Sequence, residues 1–202
     1  QNSITLHQNK NTGMRRLLLL TFLMLQMGLH AQKPCEYSSK FTDSIGSYKE
    51  TVQKIVYEKN FAGTSSYFFF SLINANDTPL LSVQSIQKSK DFIKAYCFDK
   101  NSRVYLQLAN GKIITMLIAD EGNCGSMIRD ESQSSNITIS TGTFLFMKNT
   151  MEELAKSPVT LIRIKYATET VDYIMKKELV SELNGEKSFP ENFFIDHLKC
   201  LN

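Results

Sequence analysis

The chain of 202 residues is 42% hydrophobic and 21% charged, contains no tryptophan, and carries a formal net charge of +3. That excess comes entirely from residues 1–31, which hold Lys10, Arg15 and Arg16 and no acid, so the other 171 residues set 20 basic against 20 acidic side chains. A neutral chain without a basic stripe argues against nucleic acid or an anionic membrane surface as partner, while 171 residues suffice for one domain burying roughly 70% of its unfolded surface.

Residues 1–13 are polar, precede Met14 and read as an upstream extension. Met14 opens MRRLLLLTFLMLQMGLHAQ, where Arg15 and Arg16 precede an apolar core from Leu17 to Leu25, the order of a secretory signal peptide over 14–31. That core falls short of the ~20 apolar residues a bilayer span needs, and Gln26 interrupts it. A retained anchor is the alternative. Cleavage after Ala31 defines a single domain over 32–202 with no stable membrane span. Cys35 lies three residues beyond Gln32, too far to be a lipid-modified first residue, so the product is expected to be exported, either periplasmic or extracellular.

Along that domain, Lys49 to Tyr57 leans to strand, and the aromatic run Tyr67 to Ile73 reads as a buried strand. NANDTP supplies turn chemistry to a second strand, Leu80 to Ile86. In RVYLQLANGKIITMLIAD, Asn110-Gly111 predicts a two-residue type I′ hairpin turn that sets Leu108 opposite Ile113, Leu106 opposite Thr115 and Val104 opposite Leu117. Extended outward, this register sets Cys97 opposite Cys124 as a hydrogen-bonded pair with Cα atoms about 5.5 Å apart, a separation that admits a disulfide. Asp120 to Asn136 is long and polar, and loops of that length are functional or disordered. Asn136 to Met147 is strand-like, and Thr150 with Glu153 has the form of a capping box on a short helix. Val159 to Tyr166 alternates, with Leu161, Arg163 and Lys165 on one face and Ile162, Ile164 and Tyr166 on the other. Thr168 to Met175 is its partner strand, Lys176 to Asn184 reads as a helix capped by Gly185, and Pro190 to Leu201 reads as an amphipathic C-terminal helix. The expected class is α+β, an antiparallel β-sheet with a few short helices.

Four cysteines allow three connectivities. Register favours Cys97 with Cys124, which leaves Cys35 with Cys200 to clamp the two ends of the domain. No CxxC or HxxxH suggests zinc, and no nucleotide, hydrolase-elbow or zincin motif occurs, so no cofactor is expected. Beyond the signal segment only His197 remains to serve a Cys or Ser nucleophile, and its neighbour Asp196 diverges from it on a helix. Cys124 as a nucleophile conflicts with its pairing. The acidic loop, Asp120, Glu121, Asp130 and Glu131, offers carboxylates for a hydrolase or, with Asn123, oxygen donors for calcium, although the spacing is not that of an EF-hand. Tyr67 to Phe70 read as core rather than as a ligand groove.

The targeting segment ending His30-Ala31-Gln32, with its β-rich body, resembles the small exported proteins common in Bacteroidota. Asp43-Ser44-Ile45 resembles the O-glycosylation signal of that group, which implies Ser44 as an acceptor; no activity follows from the resemblance. The function expected from the sequence is a non-enzymatic binding or interaction module of the cell envelope, its partner a protein, a glycan or a small apolar ligand. A carboxylate-dependent hydrolase and a structural envelope component are the alternatives.

Overall fold

Two pairs of consecutive left-handed residues build the spine of the fold. Ala62 and Gly63 (φ 49° and 79°) and Asn76 and Asp77 (φ 51° and 59°) supply the positive-φ positions of two-residue type I′ turns. They join β3 (Lys54–Phe61), β4 (Thr64–Ala75) and β5 (Thr78–Ser89) into one antiparallel meander, with Phe61 facing Thr64 and Ala75 facing Thr78. The computed structural model describes residues 34–201, and all its elements belong to one unit, Cys35–Asn202. The predicted extension and signal peptide lie outside the described residues.

Ahead of the meander come β1 (Tyr37–Thr42) and β2 (Ser47–Thr51). After it follow β6 (Arg103–Leu108), β7 (Ile113–Ile118), β8 (Ser126–Asp130), β9 (Ser135–Leu145), the helix α1 (Thr150–Leu154), β10 (Val159–Lys165) and β11 (Thr170–Ile174). The short strands β12 (Leu179–Val180) and β13 (Lys187–Ser188) precede the helix α2 (Phe193–His197), which 3₁₀ turns flank on both sides. The main sheet runs β1-β2-β4-β5-β9-β7-β6-β10-β11, with β3 also on β4 and β8 also on β9. β4 and β11 stand six strands apart, roughly 29 Å across a flat sheet at about 4.8 Å per strand. Yet the rings of Phe68 on β4 and Tyr173 on β11 are 4.2 Å apart. The sheet therefore curls on itself and encloses the core.

Inside the curl, cross-strand neighbours on β4, β5 and β9 form successive rungs: Leu72–Leu81–Phe144, Phe70–Val83–Gly142, Phe68–Ser85–Ser140 and Ser66–Gln87–Thr138. Gly142 is small because a Cβ there would meet the rings of Phe98 and Phe144 at 3.0–3.2 Å. Val104, Leu106, Met116, Ile162 and Ile164 form the opposite wall, and Phe193, Phe194, Leu198 and Leu201 close the apolar end. Full burial of each such side chain contributes roughly 1.5–3 kcal/mol.

The hairpin β6–β7 departs from the predicted register by one residue. Val104 faces Met116, Leu106 faces Ile114 and Gln107 faces Ile113. Among Ala109, Asn110 and Gly111 only Gly111 has positive φ (85°), and its N–H bonds the carbonyl of Leu108 at 3.0 Å. This is a three-residue turn of the type I plus left-handed-glycine form, not a type I′ turn. Burial decides between the two. The observed register turns Ile114 and Met116 inward and leaves Ile113 65% exposed, whereas the predicted one would bury Thr115, and a one-residue slip exchanges the whole set of faces.

The helical content is smaller than an α+β reading implies: the sheet dominates, and both α-helices are five residues long. Lys176 to Asn184 forms no helix. Leu179 and Ser181 are buried while Val180 is exposed, a period of two. Gly185 (φ 72°) serves the β12–β13 hairpin, donating to the Ser181 carbonyl, instead of capping a helix. The capping box also fails to form, because Thr150 is already helical and its hydroxyl donates to the Met147 carbonyl, while Glu153 pairs with Lys112 Nζ at 2.7 Å. Pro190 to Leu201 breaks into 3₁₀, α and 3₁₀ pieces, which together still bury Phe193, Phe194, Leu198, Cys200 and Leu201 as the amphipathic pattern requires. The polar segment Asp120 to Asn136 is no open loop, since β8 within it pairs with β9.

Candidate functional site

The cysteines pair as Cys97–Cys124 and Cys35–Cys200, and no free cysteine remains among the described residues. Cys97 and Cys124 lie opposite each other in an isolated antiparallel bridge, flanked by bonds from Phe98 N to Asn123 O and from Gly125 N to Tyr96 O. That pattern makes them a non-hydrogen-bonded pair, the closer kind, with Cα atoms 4.0 Å apart. The predicted hydrogen-bonded geometry does not occur. Between the β6–β7 ladder and this bridge the chain takes six residues on one side, with a turn closed by Ser102 N to Asp99 O, and seven on the other, so the one-residue difference in register is taken up there. A thiolate role for Cys124 has no thiol to use.

The acids of the predicted loop do not converge. Asp120 accepts backbone bonds from Gly122 at 2.9 Å and from Thr143 at 3.1 Å. Asp130 accepts from the Ser132 hydroxyl at 2.6 Å and from Gln133 N, and the Ser132 bond holds its carboxyl below the usual range. Asp130 sits opposite Ser135, eight residues from Thr143 along β9, or roughly 26 Å of strand. Glu121 is exposed, and the carboxylate of Glu131, also exposed, lies 3.9 Å from Arg129. Among the described residues no group of three or more His, Cys, Asp or Glu side chains gathers in a way that holds a metal ion. His197 donates from Nδ1 to the Phe193 carbonyl at 2.8 Å and stacks on the Phe193 ring, a helix-bound role. Ser44 occupies the exposed tip between β1 and β2, where the Asp43 carboxylate caps the N–H groups of Ile45 and Gly46. Phe68 and Phe70 are core, as expected, while Tyr67 and Phe69 are half-buried on the other face.

A different surface gathers binding chemistry. On the outer face of β7, β6, β10 and β11, register aligns three rows: Ile113–Gln107–Leu161–Ile174, Thr115–Tyr105–Arg163–Asp172 and Leu117–Arg103–Lys165–Thr170. At about 4.8 Å between strands and about 6.8 Å between rows, they cover roughly 14 by 14 Å. Tyr105, Gln107, Ile113, Leu161, Arg163, Lys165 and Thr170 line a concavity of about 390 Å³ there.

The rows differ in chemistry. The first is apolar apart from Gln107, with Ile113 65% and Ile174 72% exposed. In the second, Arg163 donates from Nε and Nη2 to the two oxygens of Asp172 at 2.6 and 2.7 Å. The guanidinium holds the Asp172 carboxyl low, and Asp172 in turn raises Arg163, so both stay charged and neither relays protons. Arg103 is drawn back to the Lys100 and Ser102 carbonyls. Lys165 is exposed with no acidic partner among the described residues. The face therefore offers apolar contact beside the Gln107 amide at one end, the Tyr105 ring and the Arg163–Asp172 pair in the middle, and an unpaired cation at the other end. The alternation in VTLIRIKY marks one polar-edged face, but nothing in the sequence aligns Tyr105 and Ile113 with it, because that depends on the β6–β7 register.

Comparison with protein-family models, with curated proteins and with solved structures gave no match for this chain.

Proposed function

We propose that this protein is an exported, non-enzymatic binding module of the cell envelope or its exterior, and that it holds its ligand on the outer face of β6, β7, β10 and β11. The gradient across that face carries the reading: an exposed apolar row at Ile113, Leu161 and Ile174 lies two rows from the unpaired ammonium of Lys165. Of the partner classes the sequence raises, a small apolar ligand bearing one anionic group suits it best. Burial of the apolar part contributes about 25 cal/mol per Å², and the cation fixes orientation. Export is supported by the two cysteine pairs, which persist in oxidising compartments. Among the described residues, no helix is long and apolar enough to cross a membrane. Ser44 would be the glycan acceptor of the exported form.

Decanoate is the probe for this reading. Added to isotopically labelled protein, it is expected to shift amide resonances of β6, β7, β10 and β11, with Lys165→Glu weakening the effect at least tenfold. Shifts confined to other strands would reject the site. Intact mass and non-reducing peptide mapping of the secreted fraction test export: a start at Gln32 with both disulfides supports it, and a chain that retains residues 14–31 in the cytoplasm rejects it.

A further inference from the structure

The inner face of the curled sheet changes character along its axis. Three rungs out from Leu72–Leu81–Phe144 the lining is wholly polar, Ser66–Gln87–Thr138. Thr138 is only 2% exposed, yet its Oγ1 has no hydrogen-bond partner among the described residues, nor has the buried Oε1 of its cross-strand neighbour Gln87. A buried polar atom without a partner costs about 1–3 kcal/mol, so two on adjacent strands need a reason.

Four tyrosines face the same end. A bulge in β3 between Ile55 and Tyr57 puts Tyr57, not Val56, opposite Phe68 on the inner face. Tyr57 packs edge-on against Tyr173 at 5.1 Å, and the hydroxyls of Tyr173 and Tyr166 are 3.1 Å apart. Tyr96 stacks on Tyr166 at 4.4 Å, and its backbone carbonyl accepts from the Ser140 hydroxyl at 2.7 Å, one residue pair in from Thr138 on the same face of β9. The bond between Tyr166 and Tyr173 uses one of two hydroxyl protons, which leaves one donor over. Lys94 and Glu169, the charges that bear on Tyr96, are paired with each other at 2.8 Å.

We propose that this polar end of the interior is a second binding site, for a neutral polyhydroxylated ligand of the sugar class. Gln87 Oε1 needs a donor, the Thr138 and tyrosine hydroxyls both donate and accept, and sugar hydroxyls match that mixture. The half-buried rings of Tyr57 and Tyr96 offer faces for sugar C–H groups. A charged ligand would enter with no unpaired counter-charge to meet it. Trapped water is the competing occupant.

The test uses the protein's own tyrosine emission, which no tryptophan masks. Glucose and N-acetylglucosamine are titrated into the high millimolar range against wild type, Thr138→Val and Lys165→Glu. A saturable change for at least one sugar is expected, at least fivefold weaker in Thr138→Val and unchanged in Lys165→Glu, which lies on the outer face. Thermal melting without sugar guards against misfolding, since valine replaces an unpartnered hydroxyl and the variant should melt at the wild-type temperature or above. No response to either sugar, or a Thr138→Val protein that binds as wild type does, overturns the proposal in favour of water alone.

Discussion

Ile113 and Ile114 are adjacent and chemically identical, and the β6–β7 register alone decides which of them is core. Ile114 is 7% exposed and faces Leu106 inside, whereas Ile113 is 65% exposed on the outer face. Truncation of Ile114 to alanine removes three buried carbons at about 0.8 kcal/mol each and leaves a cavity, a loss of roughly 3–4 kcal/mol. At Ile113 only about a third of the side chain is covered, so the same change costs under about 1 kcal/mol. The gap of about 2–3 kcal/mol corresponds to roughly 5–10 °C in melting temperature for a domain of this size. Urea unfolding of Ile113→Ala and Ile114→Ala, with disulfides intact, measures it directly. Ile113→Ala should also weaken decanoate binding while the fold persists. If Ile113→Ala proves the more destabilising, the two-residue Asn110-Gly111 turn is correct and the outer face loses its apolar end.

Removing Cys35–Cys200 by double Ser substitution opens a loop of 165-residue separation, an upper cost of about 5 kcal/mol in the chain-entropy model, against about 3.6 kcal/mol for Cys97–Cys124 with its separation of 27. Chemical denaturation should rank the two losses in that order, and a reversed order would contradict the loop-entropy account. Burial pushes Tyr166 and Tyr173 up, and burial with the Glu50 carboxylate pushes Tyr48 up to about 12. Groups raised in the folded state contribute stability that is complete below their ordinary value near 10 and is lost as pH rises through the folded value. Ultraviolet difference titration should show two tyrosines that ionise only with alkaline unfolding, a phase absent from a Tyr166→Phe, Tyr173→Phe protein. Asp172 is depressed by Arg163, so its contribution is present above about pH 4 and fades as pH falls through the lowered value. The stability difference between wild type and Asp172→Asn should shrink in acid; a difference independent of pH would show that the ion pair has no part in it.

Local chemistry wrote much of this protein into its sequence. Strand character in YFFFSLI, NITISTGTFL and VTLIRIKY follows from β-branched and aromatic residues bounded by turn formers, and each run is a strand in the fold. The pairing of Cys97 with Cys124 was legible too, because a hairpin brings its two strands' outer ends together, and an irregularity between the β6–β7 ladder and the bridge offsets the one-residue error in the predicted register, so the two still face each other. A single histidine beyond the targeting segment needed no structure to limit Cys-His and Ser-His chemistry. Register lay out of reach, since Ile113, Thr115 and Leu117 alternate as well as Ile114, Met116 and Ile118 do, and only the wall they pack against breaks the tie. Lys176 to Asn184 failed for the same reason: Leu179 and Ser181 are buried by contacts distant in sequence. The outer face joins strands more than 60 residues apart, such as Arg103 and Lys165, and the tyrosine cluster exists only because the sheet curls far enough for β11 to meet β3 and β4. Neighbours along the chain determined the strands; which sides of them face each other was decided by the closure of the sheet, a long-range packing problem that no local pattern encodes.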